Sequence, residues 1–85
     1  MEKLKEKLLE KGAKCNLQFS RAEREFFETE AGFTDEELIV FRLRSRGFSI
    51  VKISTELENH YNMYYSVSTV EARIRSIKKK ILRIL

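Results

Sequence analysis

The stretch SVSTVEARIRSIKKKILRIL, residues 66–85, decides the fold. Val67, Val70, Ile74, Ile77, Ile81 and Ile84 recur at alternating spacings of three and four, an unbroken apolar seam along one side of a helix. Ser66 stands just before it as an N-cap, since its hydroxyl can accept from one of the amides that a helix start leaves unpaired. Between the seam positions the chain is basic, with six Lys/Arg and one acid over residues 69–85. Three kinds of helix carry such a pattern: one lying in a DNA groove, one lying on an anionic membrane, and one zipped to a partner helix. The rest of the chain separates them.

Working upstream, Ser49 caps a helix with Ile50, Ile53, Leu57 and Tyr61 on its inner face. Thr34 and Glu37 form a capping box, and Asp35 and Glu36 suit the positive end of the helix dipole. That helix is expected from Asp35 to Arg46, stopped by Gly47 in a left-handed conformation, with Arg42, Arg44 and Arg46 complementing its negative end. Ile39, Val40 and Leu43 fall on one face and Leu38 and Phe41 on another, so packing on two sides is expected. The cover for the second side is a helix carrying Phe26 and Phe27, with Phe19 and Phe33 near its ends. It opens at a second capping box, Ser20 with Glu23, and runs from Arg21 to about Ala31, ending at Gly32. Residues 1–11 read as a short charged helix with Leu4, Leu8 and Leu9 on one side, stopped at Gly12. The KCNLQF segment stays open between loop and extended chain. The composite is all-α, a compact domain of four or five helices, with no proline and no strand signal.

Composition narrows the function. At 85 residues one domain is expected, and a chain this short buries only about 60–65% of its unfolded surface, leaving little room for an enclosed substrate pocket. A hydrophobic share of 42% is too high for a disordered tail. No apolar run approaches the roughly 18–20 residues needed to span a bilayer. The opening alternates Lys and Glu too densely for a secretory signal. Cys15 has no second cysteine to pair with, and with His60 as its only companion type no metal-ligand set exists. Neither Cys15 nor His60 has an identifiable catalytic partner, and the acids Glu23, Glu25, Glu28 and Glu30 sit on a helix surface rather than as a catalytic pair. A non-enzymatic, metal-free, cofactor-free cytoplasmic protein is expected. Charge is divided along the chain: residues 1–37 carry seven Lys/Arg against ten Asp/Glu, residues 38–85 ten against three. A basic C-terminal half is the electrostatic footprint of a nucleic-acid binder.

The stretch FTDEELIVFRLRSRGFSIVKIS, residues 33–54, resembles the opening of the LuxR-type helix-turn-helix domain, which reads L-T-x-x-E, then G-x-S at a turn, then I-A. Phe33, Thr34, Glu37, Gly47, Ser49 and Ile53 fall in register without a gap, with Ser54 at the small-residue position. Further on, Ser66, Thr69, Val70, Ile77, Lys80 and Ile81 match the family's recognition helix. The segment ARIRSIKKKILRIL is also similar to the last helix of the fourth conserved region of bacterial sigma factors. Between Leu57 and Ser66 the chain reads ENHYNMYY, longer than the LuxR-type turn, as in Myb-like and transposase-like domains. The resemblance implies a helix-turn-helix with a lengthened turn over residues 33–85. Residues 1–32 would then serve as an N-terminal helical cover of the same domain.

What the resemblance implies for function is a small sequence-specific transcription regulator of prokaryotic or phage type, associated with the nucleoid, whose C-terminal helix enters the major groove of double-stranded DNA. The wheel opposite the seam presents Ser68, Ala72, Arg75, Ser76, Lys79 and Arg83. The first four are expected at base edges, Arg75 gripping guanine bidentately and Ala72 meeting a thymine methyl. Thr69, Arg73, Lys78, Lys79 and Lys80 are expected on phosphates, as are Ser49 and Lys52 at the start of the preceding helix. Tyr61, Tyr64 and Tyr65 are expected to fill core with their hydroxyls at the surface. Ile81, Leu82 and Leu85 either pack on the N-terminal helix or form a homodimer contact. The alternative is a protein-interaction module, docking on RNA polymerase or on a sigma or anti-sigma partner through the acidic N-terminal side. Membrane association of the basic tail conflicts with the core's need for Val70, Ile74 and Ile77, so no membrane partner is expected.

Overall fold

In the computed structural model of the chain the described residues are 19–85, so the expected helix over residues 1–11, Gly12, Cys15 and most of KCNLQF lie outside them. Four helices follow in order: α1 (Arg21–Glu30), α2 (Asp35–Ser45), α3 (Ile50–Tyr61) and α4 (Val67–Ile84). No strand occurs among the described residues, and none of these helices is long and apolar enough to cross a membrane. Each starts at a Ser or Thr in extended conformation whose side chain accepts from the amide three residues on: Ser20 from Glu23, Thr34 from Glu37, Ser49 from Lys52 and Ser66 from Thr69. At Ser20 and Thr34 the glutamate reaches back to the cap amide, completing both expected capping boxes. Gly47 ends α2 at φ 91°, its amide donating to Arg44 O (2.9 Å) while that of Phe48 donates to Leu43 O (3.3 Å). This doubly bonded left-handed ending is what glycine supplies without a Cβ clash.

The apolar seam of α4 is the spine of the core. Val70, Ile74, Ile77 and Ile81 are wholly buried, while Val67 at the open N-terminal end is 39% exposed. α2 and α3 both pack on α4 and on each other. α3 contributes Ile53 and Leu57, fully buried, with Ile50 half-buried. Its inner face stops there: Tyr61 is 44% exposed. Tyr64 is 73% exposed, so of the three tyrosines expected as core only Tyr65 packs against it.

Both expected apolar faces of α2 are packed, but its most buried side also carries charge. Its buried stripe is Glu37, Val40, Phe41 and Arg44, spaced as one side of a helix, with Leu43 beside it and Leu38 and Ile39 half-buried. The stripe is apolar in the middle and charged at both ends. Phe41 meets Phe33 at 5.0 Å and Phe19 at 6.3 Å, and Phe19 meets Phe27 edge-on at 4.9 Å. α1 enters this cluster through Phe27 alone, leaving Phe26 42% exposed. Leu82, Ile84 and Leu85 are partly buried against this chain's own core.

The segment 58–65, expected as a lengthened turn, is an extension of α3 plus a short connection. The helix continues past Leu57 to Tyr61, and Asn62 then takes a left-handed conformation (φ 56°, ψ 34°). Asparagine tolerates that region better than most residues. The Met63 amide donates to Leu57 O (2.9 Å), Met63 packs on the core, and the Ser54 hydroxyl donates to Tyr65 O, pinning the connection to α3.

Candidate nucleic-acid interface

Three strips run along α4. One is the buried seam. The second, Arg73, Ser76 and Lys80, lies against the N-terminus of α2, and the third, Ser68, Ala72, Arg75, Lys79 and Arg83, is exposed throughout.

The second strip is held by two consecutive glutamates. Glu37 is only 4% exposed. Its Oε1 accepts from the Thr34 amide (2.9 Å) and from Lys80 Nζ, and its Oε2 accepts from the Ser76 hydroxyl (2.6 Å). Lys80 also donates to Gly32 O at 3.2 Å. Burial by itself would raise the Glu37 pKa. The hydrogen bonds from Lys80, Ser76 and Thr34, with the charge of Lys80, outweigh it and hold the carboxyl at about 2. One turn towards the start of α4, Arg73 Nη2 lies 3.4 Å from Glu36 Oε2, and its guanidinium sits 5.5 Å from the Tyr65 ring centroid. The Tyr65 hydroxyl donates to the same Glu36 oxygen. Burial, followed by that hydrogen bond, pushes the Tyr65 phenol above its ordinary pKa.

The expected site residues therefore divide. Ser68, Ala72, Arg75 and Lys79 share the outward strip. Arg75 has only a loose contact with Glu71 at 3.9 Å. Ser76 and Lys80 depart from the outward placement expected of a base reader and a phosphate anchor, since both turn in to Glu37. The wheel puts them at the edge of the outward face, and the approach of α2 claims that edge. Thr69 is half-buried with its hydroxyl 3.0 Å from that of Ser66. Lys78 is half-buried on the opposite flank. At the start of α3, Ser49 is used as a cap, and Lys52 is exposed with Nζ 4.4 Å from the Phe48 ring centroid. Among the described residues no ion pair engages Lys52, Lys78, Lys79 or Arg83.

Sequence reasoning gave Arg83 no contact role, although it follows Arg75 and Lys79 at steps of four on the same exposed strip. It gave Glu37 only a capping role and Arg44 only a helix-dipole role, without placing either in the interior. Arg44 is buried at 9% exposure with Nη1 donating to Phe48 O at 2.8 Å. Their spacing from Val40 and Phe41 was the available signal, because a residue three or four positions from a core residue shares its side of the helix. No protein-family model, curated protein or solved structure matches this chain.

Proposed function

We propose that this domain is a small sequence-specific transcription regulator that binds double-stranded DNA through the outward strip of α4. The observation that carries the reading is the exposed series Arg75, Lys79 and Arg83 on one side of an anchored helix, with no ion pair to an acid at Lys79 or Arg83. At about 1.5 Å per residue the three cations span about 12 Å, a length suited to following a groove wall. Arg75, Ala72 and Ser68 stand in the N-terminal part, where a groove-bound helix meets base edges. Lys79, Arg83, Lys78 and Lys52 supply phosphate contacts.

Fluorescence anisotropy with labelled duplex fragments of mixed genomic sequence, titrated across salt, tests the reading. Four phosphate contacts give a slope of log K against log salt of about −4. Arg75→Ala should flatten selectivity among fragments, and Lys79→Ala with Arg83→Ala should reduce the slope by about 2. No binding at low salt sinks the proposal. One observation favours the other reading, a protein-docking module: Phe26 stands 42% exposed on α1 beside the exposed acids Glu25 and Glu30. Capture of polymerase or a sigma-type partner that is lost in Phe26→Ser, without duplex binding, would move the function there.

A further inference from the structure

The two glutamate-held cations of α4 are not alike. Lys80 and Glu37 are 24% and 5% exposed in their side chains, and Glu37 is satisfied from three directions. That pair is fixed. Arg73 and Glu36 are 42% and 51% exposed and stand 3.4 Å apart, longer than the roughly 2.7–2.9 Å of a tight charge-assisted hydrogen bond. The Arg73 Nε is shielded from solvent and has no acceptor, so the guanidinium is incompletely satisfied where it lies. The Tyr65 hydroxyl meanwhile donates to Glu36, so Glu36 keeps a partner if Arg73 leaves. An arginine pair this exposed and this long is weak; opening it gives up the Tyr65 ring contact but leaves Glu36 partnered by the Tyr65 hydroxyl.

We propose that Arg73 is an exchangeable cation, paired with Glu36 beside Tyr65 in the free protein and transferred to a phosphate oxygen of the bound duplex. Glu36 is thereby a built-in competitor of the DNA backbone. The inference rests on the duplex reading of α4 and adds a regulatory element to that site. Its consequence is a threshold: a duplex gains the Arg73 contact only when docking brings a phosphate within reach and displaces the carboxylate. Loose, misaligned binding leaves Arg73 on Glu36 and is weakened accordingly.

The test is a set of anisotropy titrations on the full chain with labelled mixed-sequence duplex fragments, across salt. The variants are Glu36→Gln, Arg73→Ala, the two combined, and Asp35→Asn. Glutamine at position 36 keeps an acceptor for Tyr65 while removing the charge. Asp35→Asn removes an equal charge from the same helical turn without touching the pair, and so reports the general field. Glu36→Gln is expected to tighten binding by up to about fivefold, the range of a surface pair. Arg73→Ala is expected to reduce the salt slope by about 0.9, the signature of one lost phosphate contact. In the Arg73→Ala background, Glu36→Gln should then give no more tightening than Asp35→Asn gives in the wild type. Should the alanine variant fail to fold, Arg73→Gln replaces it. A salt slope unchanged by loss of Arg73, or equal tightening by Glu36→Gln with and without Arg73, overturns the exchange while leaving duplex binding standing. Absence of any wild-type binding overturns the duplex reading itself.

Discussion

Replacing Glu37 by glutamine preserves the side chain's shape and its ability to accept from the Thr34 amide, and removes the charge on which Lys80 and Ser76 converge. The size of the effect follows from the carboxyl itself. Its pKa is held at about 2 in the fold against an ordinary 4.5. At about 1.4 kcal/mol per pH unit this corresponds to about 3 kcal/mol of stability tied to the ionised form. Because the folded value is the lower one, that contribution is fully present above about pH 4.5 and is lost as pH falls towards about 2. A domain of this size has about 4–13 kcal/mol in total, so the node is a large share of it. Removing one partner of a buried pair costs about 3–5 kcal/mol when the other charge is trapped. Lys80, 24% exposed in its side chain, can turn to water, which places Glu37→Gln at about 2–3 kcal/mol. Urea unfolding followed by far-UV circular dichroism at pH 7, 5 and 3 reads both quantities. The variant should have a lower midpoint at pH 7 with an unchanged denaturant slope, and should lose less stability than wild type between pH 5 and 3. A variant within about 0.5 kcal/mol of wild type at pH 7, with the same acid loss, would refute the node as a stabilising element.

Two further substitutions separate fold from function. Lys80→Ala should destabilise by about 3 kcal/mol in the same unfolding assay because it leaves Glu37 buried without its counter-charge, whereas Lys79→Ala, one residue away on the exposed strip, should stay within about 0.5 kcal/mol and reduce duplex affinity instead. Gly32→Ala should cost about 1–2 kcal/mol in thermal unfolding, purely from its φ of 72°, since an added Cβ would meet no atom within 4 Å.

The helices were legible because their signals are local. Ser20, Thr34, Ser49 and Ser66 each announce a start to the residues immediately following, and Gly32 and Gly47 relieve a conformational cost at their own positions. The seam from Val70 to Ile81 was legible for the same reason, since its period is set by one helix alone. What the residues did not disclose is where a second helix touches the first. Ser76 is outward on an isolated wheel and inward once Glu37, 39 positions earlier, comes alongside. Tyr61 continues the pattern of Ile53 and Leu57, yet it stands exposed where they are buried. The caps Thr34 and Ser49 and the stop at Gly47 stand where they were read, but these are features of any well-capped helix pair, and they fix no crossing angle.

Net charge is a poor guide to which face of this domain could meet a polyanion, because the acids are not spread evenly over it. Glu28 takes Arg42, Glu36 takes Arg73 and Glu37 takes Lys80. The last two pairs gather on the side where the N-terminus of α2 adjoins α4, with Asp35 exposed beside them. A phosphate backbone approaching from that side would meet Asp35 and Glu36 first and be repelled. Approaching along the outward strip of α4, it would meet the exposed Arg75, Lys79 and Arg83, with Glu71 beside Arg75. On the duplex reading the glutamates therefore orient the domain as much as the cations attract it. Their charges favour a pose in which α4 rolls away from α2 as it enters the groove. That roll brings Arg75 towards the bases and leaves Arg73 at the rim, where a single phosphate can compete for it with Glu36.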